Sequence, residues 1–183
     1  MDQFDLLIKN GMVYLDGHFE PLDVGVRGGR IAALLQRGAA ARGGRELDAA
    51  GRYVLPGMID FHGHIREPGP QSFKEDYESG TKAAANGGVT MICTPPNGLL
   101  RSLADAEAYD AAVAAGEKGA VIDFHPVASP LGYAAGALEE LSKRTALFKI
   151  MELDYKTPLS ESFGTADSLI LDECFAAVAR QGK

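Results

Sequence analysis

Tyr53-Val54-Leu55-Pro56-Gly57-Met58-Ile59-Asp60-Phe61-His62-Gly63-His64-Ile65-Arg66 is an apolar run that closes on a pair of histidines. The run Tyr53 to Ile59 reads as a strand entering a core. Side chains along a strand alternate faces with period two. Asp60, His62 and His64 are therefore expected on one face, with Phe61 and Ile65 on the other. Two imidazoles side by side at a strand's end can grip one metal ion, and Asp60 lies one step below them. Zinc takes such nitrogens readily, and catalytic zinc keeps a coordination position open for water. A bare His-x-His also occurs as a surface or hydrogen-bonded pair, so the metal reading depends on its surroundings.

Upstream of this stretch, residues 1–56 read as all-β. Short apolar or alternating segments occur at Leu6-Leu7-Ile8, Met12-Val13-Tyr14, Asp23-Val24-Gly25-Val26 and Ile31 to Leu35. Asn10-Gly11, Asp16-Gly17 and Gly28-Gly29 punctuate them as expected hairpin turns, and Gly38 to Gly44 reads as a loop. Downstream of Pro56-Gly57 the rhythm changes. Strand-like runs begin near Met58, Val89, Val121 and Leu147 with helical segments between them, the signature of repeated βα units and a parallel sheet. One helix carries a Glu78/Lys82 pair and stops at Asn86-Gly87-Gly88. Ser102 with Asp105 is expected to open the next as a variant capping box. The last is expected to line up Leu171, Cys174, Phe175 and Val178 on one face and to end at Gly182.

These readings give an α/β chain: a small all-β, sandwich-like subdomain over 1–56, then the first four βα units of a (β/α)8 TIM-type barrel over 57–183. A complete barrel needs about 250 residues, so the sequence reads as an incomplete one. The histidine pair then falls at the C-terminal end of the first barrel strand, where such enzymes place their chemistry.

Composition narrows the function. The 183 residues are 46% hydrophobic and 23% charged, as in ordinary globular proteins, and the net charge is −7. That charge argues against nucleic acid and anionic membrane as partners. No apolar run approaches the roughly 20 residues that span a bilayer. The acidic start, Met1-Asp2-Gln3-Phe4-Asp5, lacks the basic region of a signal peptide. The only cysteines, Cys93 and Cys174, fall in strand-like and helix-like runs and suit free thiols in a reducing cytoplasm.

Three further features fall at the ends of expected strands: Arg66, just beyond His64; Thr94-Pro95-Pro96-Asn97-Gly98; and Lys149 within Leu147-Phe148-Lys149-Ile150-Met151. A lysine inside an apolar run is costly unless its amine finds a partner or snorkels to the strand end. With Phe148 and Ile150 directed outwards, Lys149 is expected to point inwards. His125 is read as a hydrogen-bonded histidine at a strand end, and His18 as a solvated turn residue.

Together these motifs resemble the amidohydrolase superfamily, and within it the cyclic amidohydrolases: dihydroorotase, allantoinase and hydantoinase (dihydropyrimidinase). The Pro56-Gly57-x-Ile59-Asp60-x-His62-x-His64 string carries most of the resemblance, joined by Gly80 to Thr90 and Phe148-Lys149. The resemblance implies that His62 and His64 bind the first of two zinc ions, and that Lys149, carboxylated on its amine, bridges both. It implies a cyclic amide as the small-molecule substrate, and a homo-oligomer when the protein is complete. Arg66 and Asn97 match the pair that holds the substrate's carboxylate in dihydroorotase, so that branch is expected first, with allantoinase or hydantoinase as the alternative. The Thr94-Pro95-Pro96-Asn97-Gly98 segment departs from the family's usual Asp-Met-Pro-Asn-Thr. The remaining metal histidines and the catalytic aspartate of the family would lie beyond Lys183, which leaves no catalytic acid–base residue in this chain. On that expectation the 183 residues alone are inactive and poorly soluble. A relative that has become a non-catalytic scaffold is the competing class.

Overall fold

The computed structural model describes residues 2–95, 105–129, 137–145, 147–149, 168–180 and 182. The chain divides into two compact units, Met1–Pro56 and Gly57–Lys183.

The first unit is built from β1 (Asp2–Leu15), β2 (His18–Arg27), β3 (Arg30–Gln36), β4 (Ala41–Asp48) and β5 (Tyr53–Val54). The sandwich-like packing expected of this region is replaced by one five-stranded sheet in the order β3-β2-β1-β4, with β5 also on β1. Asp16-Gly17 and Gly28-Gly29 are hairpin turns, and all four residues have positive φ, as tight hairpins between twisted strands require. Asn10-Gly11 is not a turn. It is a bulge inside β1, where Asn10 adopts φ 64° and the register against β2 shifts between Ile8 and Gly11. The buried Asp23 carboxylate accepts the Asn10 amide at 2.8 Å, and the Asn10 side chain donates to Asp48 at 2.9 Å. These polar partners hold an asparagine in the left-handed region without reversing the chain.

The expected loop over 38–44 ends early, because Ala41–Asp48 pairs in parallel with β1. Gly43 permits this pairing: a Cβ there would lie 2.7 Å from the Leu7 amide nitrogen, so only glycine lets the backbones approach. Val13, Leu22 and Val24 form the core, backed by Ile8, Leu15, Val26 and Val54. His18 is the first residue of β2 and not a turn residue. Its Nε2 lies 2.6 Å from the Glu20 carboxylate, which holds the imidazole above its usual pKa.

The second unit contains β6 (Met58–Asp60), α1 (Tyr77–Asn86), β7 (Val89–Thr94), α2 (Ala106–Gly119), β8 (Asp123–Pro126), α3 (Ala137–Arg144) and α4 (Ser168–Arg180). Strands β6, β7 and β8 form a parallel sheet in that order, and Phe148 joins its far side through a parallel bridge to Ala128. Helix α1 opens on a capping box between Asp76 and Ser79 and stops at Gly87-Gly88, where Gly88 has φ 88°. Helix α2 is capped by Asp105 itself, which accepts the Ala108 amide at 2.8 Å. The cap therefore falls at Asp105 and not at the expected Ser102, which lies outside the described residues.

Of the expected stripe on helix α4, Phe175 and Val178 have described side chains. Ala177 is the residue buried against Leu138 of α3, while Phe175 is 63% exposed. The small alanine lets the two helices approach and turns the bulky phenylalanine away from that contact. The side chains of Leu171 and Cys174 lie outside the described set.

On the helix side of the sheet, Ile65, Tyr77 and Ile92 pack with Phe124, and Tyr109, Ala128 and Leu141 pack with Phe148. Phe148 thus faces the helices, and strand alternation turns Lys149 to the opposite face.

Candidate metal centre

Strand β6 ends at Asp60, sooner than the expected alternation through His64 requires. The Asp60 carboxylate accepts the His62 backbone N–H at 2.9 Å, which bends the chain out of the strand. One residue on, the Gly63 N–H donates to the Cys93 carbonyl of β7 at 3.1 Å and lays the turn along the neighbouring strand. Glycine is needed there, because a Cβ on Gly63 would stand 2.4 Å from Ile92 Cδ1 and 2.9 Å from Asp60 Oδ2. Sequence reasoning passed over Gly63, although a glycine between two histidines is the available signal. The two rings still come together, by a turn instead of by strand alternation. Their centroids are 5.1 Å apart and their planes cross at 77°.

Lys149 reaches this pair from the far side of the sheet, its Nζ 3.2 Å from His62 Nε2. The Lys149 amide donates to the Ala128 carbonyl at 2.7 Å, which fixes the root of the side chain. Burial of Lys149 pushes its amine below the usual lysine pKa. The His64 imidazole is also held below its usual value, first by loss of hydration and then by the positive charges of Lys149, His62 and Arg66. A ring nitrogen of His64 donates to the Pro95 carbonyl, which leaves the other nitrogen's lone pair for a ligand. Both shifts favour forms with a free lone pair.

Among the described residues no group of three or more His, Cys, Asp or Glu side chains is spaced to hold a metal ion. The donor set is instead two imidazoles and one lysine. An ammonium would repel a cation, whereas a neutral amine or its carbamate would not, and burial at Lys149 works against the ammonium. On donor chemistry the three residues fit a zinc site.

Arg66 is half-buried and near enough to His64 for its charge to act on the ring. Asn97 lies outside the described residues. His125 takes no part in this group; its Nε2 is hydrogen-bonded to Thr145 Oγ1 at 2.8 Å. Cys93 is a buried free thiol whose pKa is raised by burial and by the Asp60 charge.

Allantoinases from Salmonella paratyphi B and Salmonella newport are each 39% identical to this chain over 140 residues, covering 76% of it and 30% of their own length. The L-hydantoinase (dihydropyrimidinase) from Arthrobacter aurescens matches the fold with a TM-score of 0.80 at 24% identity, over 98% of this chain and 39% of that one. This chain belongs to the cyclic amidohydrolases. The D-hydantoinase (dihydropyrimidinase) from Thermus sp. matches this cyclic amidohydrolase at a TM-score of 0.76 and 28% identity, over 96% of the chain and 38% of its own length. The chain thus spans less than a third of the curated relatives it matches. No protein-family model matches it. These relatives bear allantoinase and hydantoinase names, so the dihydroorotase branch rests on Arg66 and Asn97 alone.

Proposed function

We propose that this cyclic amidohydrolase takes part in zinc-dependent hydrolysis of a ring amide C–N bond, with His62, His64 and carboxylated Lys149 as metal ligands. In this reading residues 57–183 are the first four βα units of a TIM-type barrel, and residues 1–56 are its N-terminal β subdomain. The observation that carries the proposal is the 3.2 Å approach of Lys149 Nζ to His62 Nε2, beside a second imidazole held neutral.

The chain's own residues divide the work. His62 and His64 present nitrogen lone pairs, and the Asp60 and Gly63 hydrogen bonds orient the turn that carries them. The Lys149 amine, neutral more readily than an exposed lysine, attacks carbon dioxide through its nitrogen lone pair. An N–C bond forms, one C=O π pair moves onto oxygen, and the nitrogen releases a proton to water. The resulting carbamate shares one negative charge over two oxygens and would serve as a ligand for the zinc that the family resemblance implies. When bound, zinc supplies Lewis acidity toward water and the ring carbonyl.

The identity to allantoinases favours allantoin as the ring. Arg66 favours a second reading, dihydroorotate, because a guanidinium fork suits a planar carboxylate. In the complete protein, Lys149→Ala should lose both bound zinc and ring opening when allantoin, a dihydropyrimidine and dihydroorotate are assayed side by side. Zinc retained at full stoichiometry with undiminished turnover would refute the ligand role. Arg66→Lys should raise KM for dihydroorotate and leave allantoin untouched if the second reading holds.

A further inference from the structure

Ser129 is 0% exposed, and its hydroxyl has no hydrogen-bond partner among the described residues. The other buried hydroxyls among the described residues of this unit are engaged. Thr81 Oγ1 donates to the Tyr77 carbonyl and accepts the Val121 amide, Thr94 Oγ1 pairs with the Tyr77 hydroxyl, and Ser142 donates to the Glu139 carbonyl. A buried hydroxyl left unpaired is unfavourable, and native proteins seldom keep one without a use.

The position of Ser129 suggests the use. Ala128 and Phe148 form a parallel bridge, tied by Ala128 N–H to the Leu147 carbonyl at 3.2 Å and by Lys149 N–H to the Ala128 carbonyl at 2.7 Å. Both residues pack on the helix side with Tyr109 and Leu141. The next residue on each segment, Ser129 and Lys149, therefore turns to the opposite face, and the two are neighbours in register.

We propose that Ser129 is a positioning residue whose hydroxyl donates a hydrogen bond to a carbamate oxygen formed on Lys149. This rests on the reading of Lys149 given above. Carboxylation converts a head group that only donates hydrogen bonds when charged into one that accepts them through anionic oxygens. Hydroxyl bonds to an ionised acceptor are short and strong. Ser129 would thus retain the carbamate against loss of carbon dioxide, and it would gain a partner that none of the described residues supplies.

The test is a 13C-bicarbonate titration of the intact protein, following the carbamate carbon by NMR in wild type, Ser129→Ala and Lys149→Ala. Ser129→Ala should need roughly tenfold more bicarbonate for half-occupancy, as expected for a lost bond to a charged group, and should fill at saturation. In carbon-dioxide-free buffer Ser129→Ala should melt no lower than wild type, since it removes an unpaired buried hydroxyl. Unchanged half-occupancy, or a melting point several degrees lower in that buffer, overturns the proposal. A wild-type protein without a carbamate signal that Lys149→Ala abolishes overturns the Lys149 reading and this one together. Should the alanine variant not fold, Ser129→Cys keeps the volume with a weak donor and is expected to show the same rise in bicarbonate demand.

Discussion

His64 and His18 are both solvent-exposed imidazoles, yet their surroundings push them in opposite directions. Lost hydration, and then positive neighbours, lower His64, while the Glu20 carboxylate raises His18. Imidazole proton NMR should therefore show one midpoint below 6.5 and one above it; coincident midpoints would contradict the geometry at both sites. For stability the sign follows from linkage. Below pH 6.5 the unfolded chain binds a proton at residue 64 that the native chain resists, so the native advantage at this ring is complete above 6.5. It is lost as the pH falls through the lowered native value. Gly63 makes a different claim at the same scale. Gly63→Ala forces a Cβ against Ile92 and Asp60, and overpacking of this kind costs about 1–3 kcal/mol. The variant should show a lower urea midpoint and weaker zinc retention, because the displaced turn carries both histidines. An unchanged midpoint would mean that the turn is free to relax.

Among the elements, helix α2 meets the sheet where Gly116 lies against the Phe124 ring. A Cβ on Gly116 would come within 2.1 Å of Phe124 Cε2. Replacing a helical glycine with alanine gains about 1 kcal/mol in propensity, but the clash costs about 1–3 kcal/mol. Gly116→Ala is therefore expected to be neutral to destabilising, and a clear rise in melting temperature would show that the ring swings aside. The elements also show what a sequence reveals. Strands β7 and β8 and helix α1 were legible because alternation, helical spacing and glycine stops are local signals. Strand β4 was not, since Gly43 and Gly44 read as loop residues, and the partner of Gly43 in the parallel ladder is Phe4, remote in sequence. The Asn10 bulge was hidden for the same reason, because its partners Asp23 and Asp48 are remote in sequence. On helix α4 an apolar stripe does not say which residue touches a neighbour: Phe175 is exposed while Ala177 is buried. In the candidate site, His62, His64 and Lys149 were chosen from residue type and motif, whereas Ser129 becomes visible only once β-register and burial are known.

For the molecule as a whole, the second unit leaves Met58, Ile59, Phe61 and Phe175 each more than half exposed. Strand β6 also has one edge without a partner among the described residues. Exposed apolar groups beside an open strand edge promote association. The 183-residue polypeptide expressed by itself should therefore self-associate and bind hydrophobic dyes, as light scattering and dye fluorescence would report. A monodisperse monomer that binds no dye would be the contrary result.

The contact between Lys149 and His62 joins residues 87 positions apart in sequence. Bringing such distant groups together requires closing a long loop, whose entropic cost is met by the helices and strands folded in between. The three proposed ligands therefore cannot meet early in synthesis. A nascent chain displaying only its histidine turn holds two of the three donors, and the third arrives after α1, β7, α2, β8 and α3 have been made. On the proposed reading, loading of the centre would be a timestamp on the ribosome's progress: zinc held by all three residues would mark a polypeptide that has already packed its first three crossovers.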